Sequence, residues 1–129
     1  MILDTNALSA AADREPAALE VVASAEWLAV PVIVLGEYRL GIAHSRRRAD
    51  YENWLREWIN TVMVLDVDEE TTHHYAVIGL ELRRMGKPIP TNDLWIAALC
   101  RQHALPIVSR DKHFDLVAGI QRIDGRSDR

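Results

Sequence analysis

The sequence is short of cysteine, of long apolar runs and of surplus positive charge. Cys100 is the only cysteine among 129 residues, which excludes an intrachain disulfide and a zinc site built from several thiolates. No stretch approaches the roughly 18 consecutive apolar residues that a membrane-spanning helix needs. Met1 leads directly into a short apolar run and an acid, unlike a signal peptide. These absences predict a soluble protein of the reducing cytoplasm with no membrane partner.

The balance of charge is slightly acidic. Lysine and arginine total 15 and aspartate and glutamate total 19, which gives a net charge of −4. This balance argues against a protein held to nucleic acid by bulk positive charge. The runs Arg46–Arg48 and Arg83–Arg84 fit two readings equally, as local phosphate-facing patches or as solvated helix faces. The length suits one domain over residues 1–129, without internal repeats or a linker.

Short apolar runs alternate with longer helical stretches along the chain, a pattern typical of a parallel sheet flanked by helices. Strands are predicted at residues 1–3, 27–30, 62–67, 106–109 and 120–123. Helices are predicted within residues 5–12, 16–25, 31–44, 46–60, 68–85 and 91–104. Right-handed crossovers then give an α/β fold, a three-layer α/β/α sandwich with a short, mostly parallel central sheet. The pattern leaves the order of the strands open.

Four acids stand where an element meets a turn or where an apolar run is interrupted. Asp4 follows the apolar start of the chain, and Asp111 follows the run Ile107–Ser109 after one arginine. Asp93 opens an apolar helix, whereas Glu37 interrupts one. If the strands are parallel, their carboxyl ends meet at one edge of the sheet, where α/β folds bind ligands. We therefore expect these four carboxylates to share a cleft.

Three of the acids also have local structural explanations. Asp4 can cap the helix that follows it, and Asp93 can interact favourably with the dipole of a helix start. Asp111 lies in a polar turn, where aspartate is common. Glu37 is different, because a carboxylate on a largely apolar helix is costly without a partner. Its expected partner is a metal ion or a residue distant in sequence.

The chemistry of such a cluster predicts a divalent cation. Four carboxylates without a cation would repel one another and raise some of their pKa values. Their all-oxygen donor set favours Mg²⁺ or Mn²⁺ over zinc. One ion can align a water for in-line attack on a phosphate, and a second can stabilise the leaving oxygen. The predicted reaction is hydrolysis of a phosphodiester.

The four acids lie in the stretches MILDTN, VLGEYRLG, PTNDLWIAA and SRDKHFD, in that order. Together these stretches resemble the PIN-domain nucleases, in particular the VapC-type ribonuclease toxins, over essentially the whole chain. The resemblance implies a Mg²⁺- or Mn²⁺-dependent endoribonuclease that cleaves RNA, forms a homodimer and is held inactive by a cognate antitoxin. It also implies catalytic and metal-binding roles for Asp4, Glu37, Asp93 and Asp111.

Further residues are candidates around this site. Thr5, Asn6, Thr91 and Asn92 could hydrogen-bond the metal ligands or the scissile phosphate. Asn6 matches the polar residue that follows the first acid in the family, and Asp115 matches an additional acid that binds metal through a water. The five histidines lack zinc-site spacing, and surface roles are expected for most of them. Trp54 and Trp58, four residues apart on a helix, could cover the core or a partner.

Two other functions compete with the nuclease. A phosphoacceptor receiver domain has a similar length and an aspartate-rich magnesium site, with Asp66 as the acceptor and Lys112 as the late lysine. That hypothesis gives Glu37 no role, and it requires adjacent acids after the first strand, where this chain has Asp4, Thr5 and Asn6. The other alternative is a non-catalytic PIN-like binding module. The presence of all four acids argues against it.

Overall fold

A five-stranded parallel sheet forms the centre of the molecule, as seen in a computed structural model that describes residues 1–125. Its strands are β1 (Ile2–Leu3), β2 (Ala29–Pro31), β3 (Met63–Leu65), β4 (Ile107–Val108) and β5 (Arg122–Ile123). They are ordered β3-β2-β1-β4-β5, and every neighbouring pair is parallel. The predicted α/β class and parallel central sheet are therefore confirmed.

Six α-helices of the described residues surround the sheet. They are α1 (Thr5–Ala12), α2 (Pro16–Ser24), α3 (Val32–Ile42), α4 (Arg48–Trp58), α5 (Glu69–Arg84) and α6 (Thr91–His103). Short 3₁₀ turns occupy Ile59–Thr61 and Lys112–Leu116. α1 packs against α2 and α3, while α5 and α6 form the most extensive helix pair. The longest helix, α5, has 16 residues, and no helix in the described part has the length and apolar character needed to cross a bilayer.

Several predicted elements are shorter in the structure. The third strand begins at Met63 rather than at residue 62, because the Val62 amide donates to the Ile59 carbonyl and closes the preceding 3₁₀ turn, and it ends at Leu65 rather than at residue 67. The last strand contains only Arg122 and Ile123 of the predicted residues 120–123. Pro31 ends β2 and stands just before α3, where its fixed φ and missing N–H suit the transition.

The strand order creates a switch point between β1 and β4. The connection that leaves β1 leads to β2 on one side, whereas the connection that leaves β4 leads to β5 on the other. Right-handed crossovers that run in opposite directions place their helices on opposite faces and leave a crevice at the carboxyl ends of the strands. Leu3 pairs with Val108 in this register. The residues that follow them, Asp4 and Ser109, therefore emerge side by side at the crevice.

The core lies between the sheet and the helices. Ile2, Val30 and Ile107 of the sheet are fully buried, as are the segments of α6 that face them. Trp54 packs edge-on against the buried Tyr38 with ring centroids 6.3 Å apart and stacks on Trp58 at 5.1 Å. Both tryptophans are partly buried against the core. Of the two readings of this pair, core packing therefore fits the structure.

Candidate metal centre

Asp4 stands at the carboxyl end of β1 and is almost fully buried, with 5% of its surface exposed. Its amide donates to the Val108 carbonyl at 3.3 Å, which fixes it against β4. Its Oδ1 atom accepts the Ala7 amide at 2.8 Å and caps α1. Burial raises the pKa of Asp4, hydrogen bonds from Ser109 and Ala7 oppose that rise, and the charges of Asp111 and Glu37 add to it. Asp4 is thus both a helix cap and a member of an acidic cluster.

Ser109 links two of the acids across the switch point. Its side chain is buried, and its hydroxyl hydrogen-bonds the Asp4 carboxylate. The same oxygen accepts the Asp111 amide at 2.9 Å. One serine therefore contacts the Asp4 carboxylate and the Asp111 backbone. Sequence reasoning did not select Ser109, although a polar residue at the end of an apolar strand and two positions before an acid was a usable signal.

Glu37 has a hydrogen-bond partner on another helix, as expected for a carboxylate on the largely apolar α3. The Thr5 hydroxyl donates to Oε1 of Glu37 at 2.8 Å. The charge of Glu37 also raises the pKa values of Asp4 and Asp93, so its carboxylate acts on the same cluster. Thr5, a predicted site residue, therefore orients a predicted metal ligand.

Asp93 lies in the first turn of α6 and is partly buried. Burial raises its pKa, and the nearby charge of Asp111 raises it further. A hydrogen bond and the charge of His113 oppose that rise, while Glu37 adds to it. The charges of Glu37 and Asp111 thus raise the pKa values of both Asp4 and Asp93, although the four acids lie in four separate segments. The electrostatics of the four acids thus agree with the shared cleft expected from the sequence.

His113 is the additional residue at this centre. Its Nδ1 atom lies 3.1 Å from Oδ2 of Asp111 and 3.5 Å from Oδ2 of Asp93. Its backbone amide donates to Oδ1 of Asp111 at 2.9 Å, so Asp111 caps the turn Lys112–Leu116. His113 is exposed, as expected for most histidines, yet it faces two acids. The spacing Asp111-x-His113 across a tight turn was the signal for it in the sequence.

The donor set fits a divalent cation. Carboxylate oxygens are the preferred ligands of hard cations, and bringing several together without a cation is unfavourable because the charges repel. The ligand atoms of Asp93, Asp111 and His113 all lie within 4.8 Å of one another. The arrangement could hold a metal ion near the carboxyl ends of β1 and β4.

The remaining predicted residues occupy more peripheral positions. Asn6, Thr91 and Asn92 are exposed at the first turns of α1 and α6, the helices that begin with Thr5 and carry Asp93. Asp115 accepts two hydrogen bonds from Arg122, at 2.8 and 3.0 Å, and this pairing lowers its pKa. Arg122 also donates to the Ser109 carbonyl at 3.1 Å. The structure thus places Asp115 in an ion pair, and its role toward metal stays a prediction.

A cleft of about 270 Å³ opens beside Glu37. Thr5, Ser9 and Ser45 contribute hydroxyl groups to its lining, and Tyr51 lies at its edge with its hydroxyl bonded to Asp13 at 2.6 Å. The Arg47 guanidinium lies 5.0 Å from the centre of the Tyr51 ring. The cleft provides a polar, partly aromatic surface directly next to a member of the acidic cluster.

Comparison with known proteins identifies the family. The profile of the PIN domain matches residues 1–120. The chain belongs to the PIN-domain family. The match covers all four acids and every strand up to β4.

Individual relatives agree with this PIN assignment. Ribonuclease VapC4 of Mycobacterium tuberculosis is 31% identical over 105 residues, which cover 76% of this chain and 76% of that protein. The structure of DNA-bound VapBC from Salmonella typhimurium contains a chain with a TM-score of 0.85 and 24% identity, with 96% of each chain covered. VapBC-5 of Mycobacterium tuberculosis, a member of the VapBC family of toxin-antitoxin systems, gives a TM-score of 0.68 and 25% identity, with 95% of each chain covered.

The sheet order of this PIN domain contradicts the receiver alternative. Receivers have the strand order 2-1-3-4-5, in which the third strand is central, whereas β3 is an edge strand here. Asp66 therefore emerges at the edge of the sheet and is exposed. It lies two strands away from β1, where Asp4 begins the acidic cluster.

Proposed function

We propose that this protein is a metal-dependent endoribonuclease that hydrolyses phosphodiester bonds of RNA. The observation that supports the proposal is the electrostatic coupling of Asp4 and Asp93 to Glu37 and Asp111. These acids come from the ends of β1 and β4 and from α3 and α6. Membership of the PIN family and the similarity to ribonuclease VapC4 support RNA as the substrate.

The four acids would bind the catalytic ion, for which we propose Mg²⁺ or Mn²⁺. A divalent ion at such a site lowers the pKa of a bound water and balances charge on the phosphate. Ser109 holds Asp4 and Asp111 in place, while Thr5 orients Glu37. Fixed carboxylates need little rearrangement when the substrate arrives, which favours in-line attack.

Exposed polar residues at the helix starts would contact the RNA. Asn6, Thr91 and Asn92 are accessible at the start of α1 and α6, and their side chains can donate to phosphate oxygens or ribose hydroxyls. Asp115 would act through a water, because its two oxygens already accept from Arg122. The cleft beside Glu37 would receive a nucleotide next to the scissile phosphate.

The protein would work as the toxin of a toxin-antitoxin pair in the cytoplasm. The similar VapBC-5 protein is described as part of such a system. We therefore propose a small cognate antitoxin as the protein partner and a homodimer as the assembled state. Leu40 on α3 is a surface residue suited to the dimer contact, because 73% of this large apolar side chain is exposed.

Incubation of the purified protein with labelled RNA tests the proposal. Cleavage is expected with Mg²⁺ or Mn²⁺ and not with EDTA. Asp66→Asn is a matched control, because Asp66 also follows a strand but lies at the sheet edge, and it should cut at the wild-type rate. Absence of cleavage with either metal would support a binding module.

Binding of the antitoxin needs a separate experiment. Co-expression with a candidate antitoxin should yield a stable complex, and the complex should cut RNA more slowly than the free protein. A free protein that cuts RNA but gains no partner would restrict the proposal to the nuclease activity.

A further inference from the structure

His113 adds a nitrogen donor to a cluster of carboxylates. Its Nδ1 atom lies 3.1 Å from Oδ2 of Asp111 and 3.5 Å from Oδ2 of Asp93. About half of the side chain is exposed. The imidazole is therefore accessible from the solvent side, whereas Asp4 is buried.

The spacing of the three donor atoms suits direct coordination. Octahedral ligands with bonds of about 2.1 Å lie about 3 Å apart when adjacent and about 4.2 Å apart when opposite. Both distances from Nδ1 of His113 are close to the adjacent separation. All three donor atoms also lie within 4.8 Å of one another.

The turn Lys112–Leu116 holds His113 in this position. Asp111 accepts the His113 amide through Oδ1, at 2.9 Å, and its Oδ2 faces the imidazole. The next residue, Phe114, is buried in the core and anchors the turn. The backbone of His113 is thus fixed on both sides. Such support of a ligand by its neighbours lowers the cost of ordering it on metal binding.

We propose that His113 coordinates the catalytic ion through Nδ1, together with Asp93 and Asp111, and that this ligand makes the site prefer Mn²⁺ to Mg²⁺. The inference rests on the proposed metal site and adds a ligand to the four acids. Mg²⁺ favours oxygen ligands. Imidazole suits transition metals, whose affinity for nitrogen sites rises from Mn²⁺ to the later members of the series. One nitrogen ligand among oxygens therefore raises the affinity of the site for Mn²⁺ relative to Mg²⁺.

Electron spin-echo spectroscopy of the Mn²⁺-loaded protein tests direct coordination. A bound imidazole nitrogen modulates the Mn²⁺ signal, so wild type should show nitrogen coupling. His113→Asn places an amide near the position of Nδ1 and retains hydrogen bonding to the acids, but it lacks the imidazole nitrogen. This variant should bind Mn²⁺ without the coupling. His73→Asn, at an exposed histidine on α5, is the matched control and should retain it.

Competition between Mn²⁺ and Mg²⁺ tests the preference. The ratio of the Mn²⁺ to the Mg²⁺ binding constant should fall in His113→Asn, because the nitrogen ligand is lost, and should stay unchanged in His73→Asn. If His113→Asn does not fold, the spectrum of the wild-type protein decides the question alone.

Three results would overturn the inference. These are bound Mn²⁺ without nitrogen coupling in wild type, coupling that survives in His113→Asn, and an unchanged Mn²⁺/Mg²⁺ ratio in that variant. RNA cleavage that depends on metal in the same preparation would leave the proposed function intact. Absence of any Mn²⁺ binding would instead overturn both the ligand and the metal site.

Discussion

The hydroxyl of Thr5 donates a hydrogen bond of 2.8 Å to Oε1 of Glu37, a residue 32 positions away in sequence. This contact joins the first residue of α1 to the middle of α3, directly beside Asp4. Residues that orient a metal ligand commonly change metal affinity or activity by 10- to 100-fold when they are replaced. The position of Glu37 in the cluster therefore depends on a residue that contributes no carboxylate.

Thr5→Val should weaken metal binding and RNA cleavage by about tenfold. Valine keeps the shape of threonine but removes the donor to Glu37, so the free energy of unfolding should also fall by about 1 kcal/mol. Calorimetric titration with Mn²⁺ and cleavage rates measure the two effects. Thr5→Ser retains the hydroxyl and should stay close to wild type. Wild-type metal affinity and cleavage in Thr5→Val would contradict the role of the hydrogen bond to Glu37.

Divalent metal should stabilise the folded protein. Binding to the native state alone raises the free energy of unfolding by about 2.7 kcal/mol when the free ion is at 100 times its Kd. The Tm should therefore rise with millimolar Mg²⁺ or Mn²⁺ and return to its starting value with EDTA. A sample in which NaCl of equal ionic strength replaces the divalent salt controls for screening of the charges. A Tm that does not change with either ion would argue strongly against the site.

Asp93→Asn should abolish RNA cleavage without unfolding the protein. The variant keeps the shape of aspartate and removes one charge from a crowded cluster, so metal affinity and repulsion fall together. Cleavage should drop by more than about 100-fold, equivalent to about 2.7 kcal/mol of transition-state stabilisation. The Tm of the metal-free protein should be unchanged or higher.

Asp4→Asn should behave like Asp93→Asn, because asparagine is also a good helix cap for α1. If Asp93 only stabilised the start of α6, its replacement would cost at most about 1 kcal/mol through the helix dipole and cleavage would survive. Full activity of Asp93→Asn at saturating Mg²⁺ would therefore remove it from the catalytic site.

Asp68 should make stability depend on pH in the acidic range. Hydrogen bonds from Thr71 and Gln102 lower its pKa from 3.8 as it caps α5. A carboxyl with a lowered folded-state pKa stabilises the fold above its unfolded pKa, and this stabilisation is lost as the pH falls through the folded value. The difference between wild type and Asp68→Asn in urea unfolding should therefore shrink below pH 3.8. A constant difference across that range would contradict this effect.

Leu40 should contribute to the homodimer. Its side chain is 73% exposed on α3, and loss of a central interface residue costs about 2 kcal/mol or more of binding free energy. Light scattering should show a dimer for wild type and a shift to monomer for Leu40→Asp. Leu19→Asp, at a partly exposed leucine of α2, is the matched control. A wild-type monomer at high concentration would contradict the dimer and leave the nuclease unaffected.

The sequence determined the elements and their chemistry because these depend on local patterns. Asp4 and Asp68 are effective caps wherever a helix follows them, so the starts of α1 and α5 agree with the prediction. Apolar runs bounded by turns marked the strands. The ends of the strands were less predictable, because they depend on hydrogen bonds to neighbouring strands. The Val62 amide, for example, bonds within the preceding turn instead.

Only the tertiary structure decided which residues meet. The order β3-β2-β1-β4-β5 follows from crossovers between distant segments, and it brings Ser109 against Asp4 and His113 against Asp93. It also pairs Asp115 with Arg122, a contact that the spacing of the acids does not reveal. The sequence determined that this chain carries four acids at element boundaries. The direction of each crossover, which no local propensity encodes, decided that the charges of Glu37 and Asp111 act on Asp4 and Asp93.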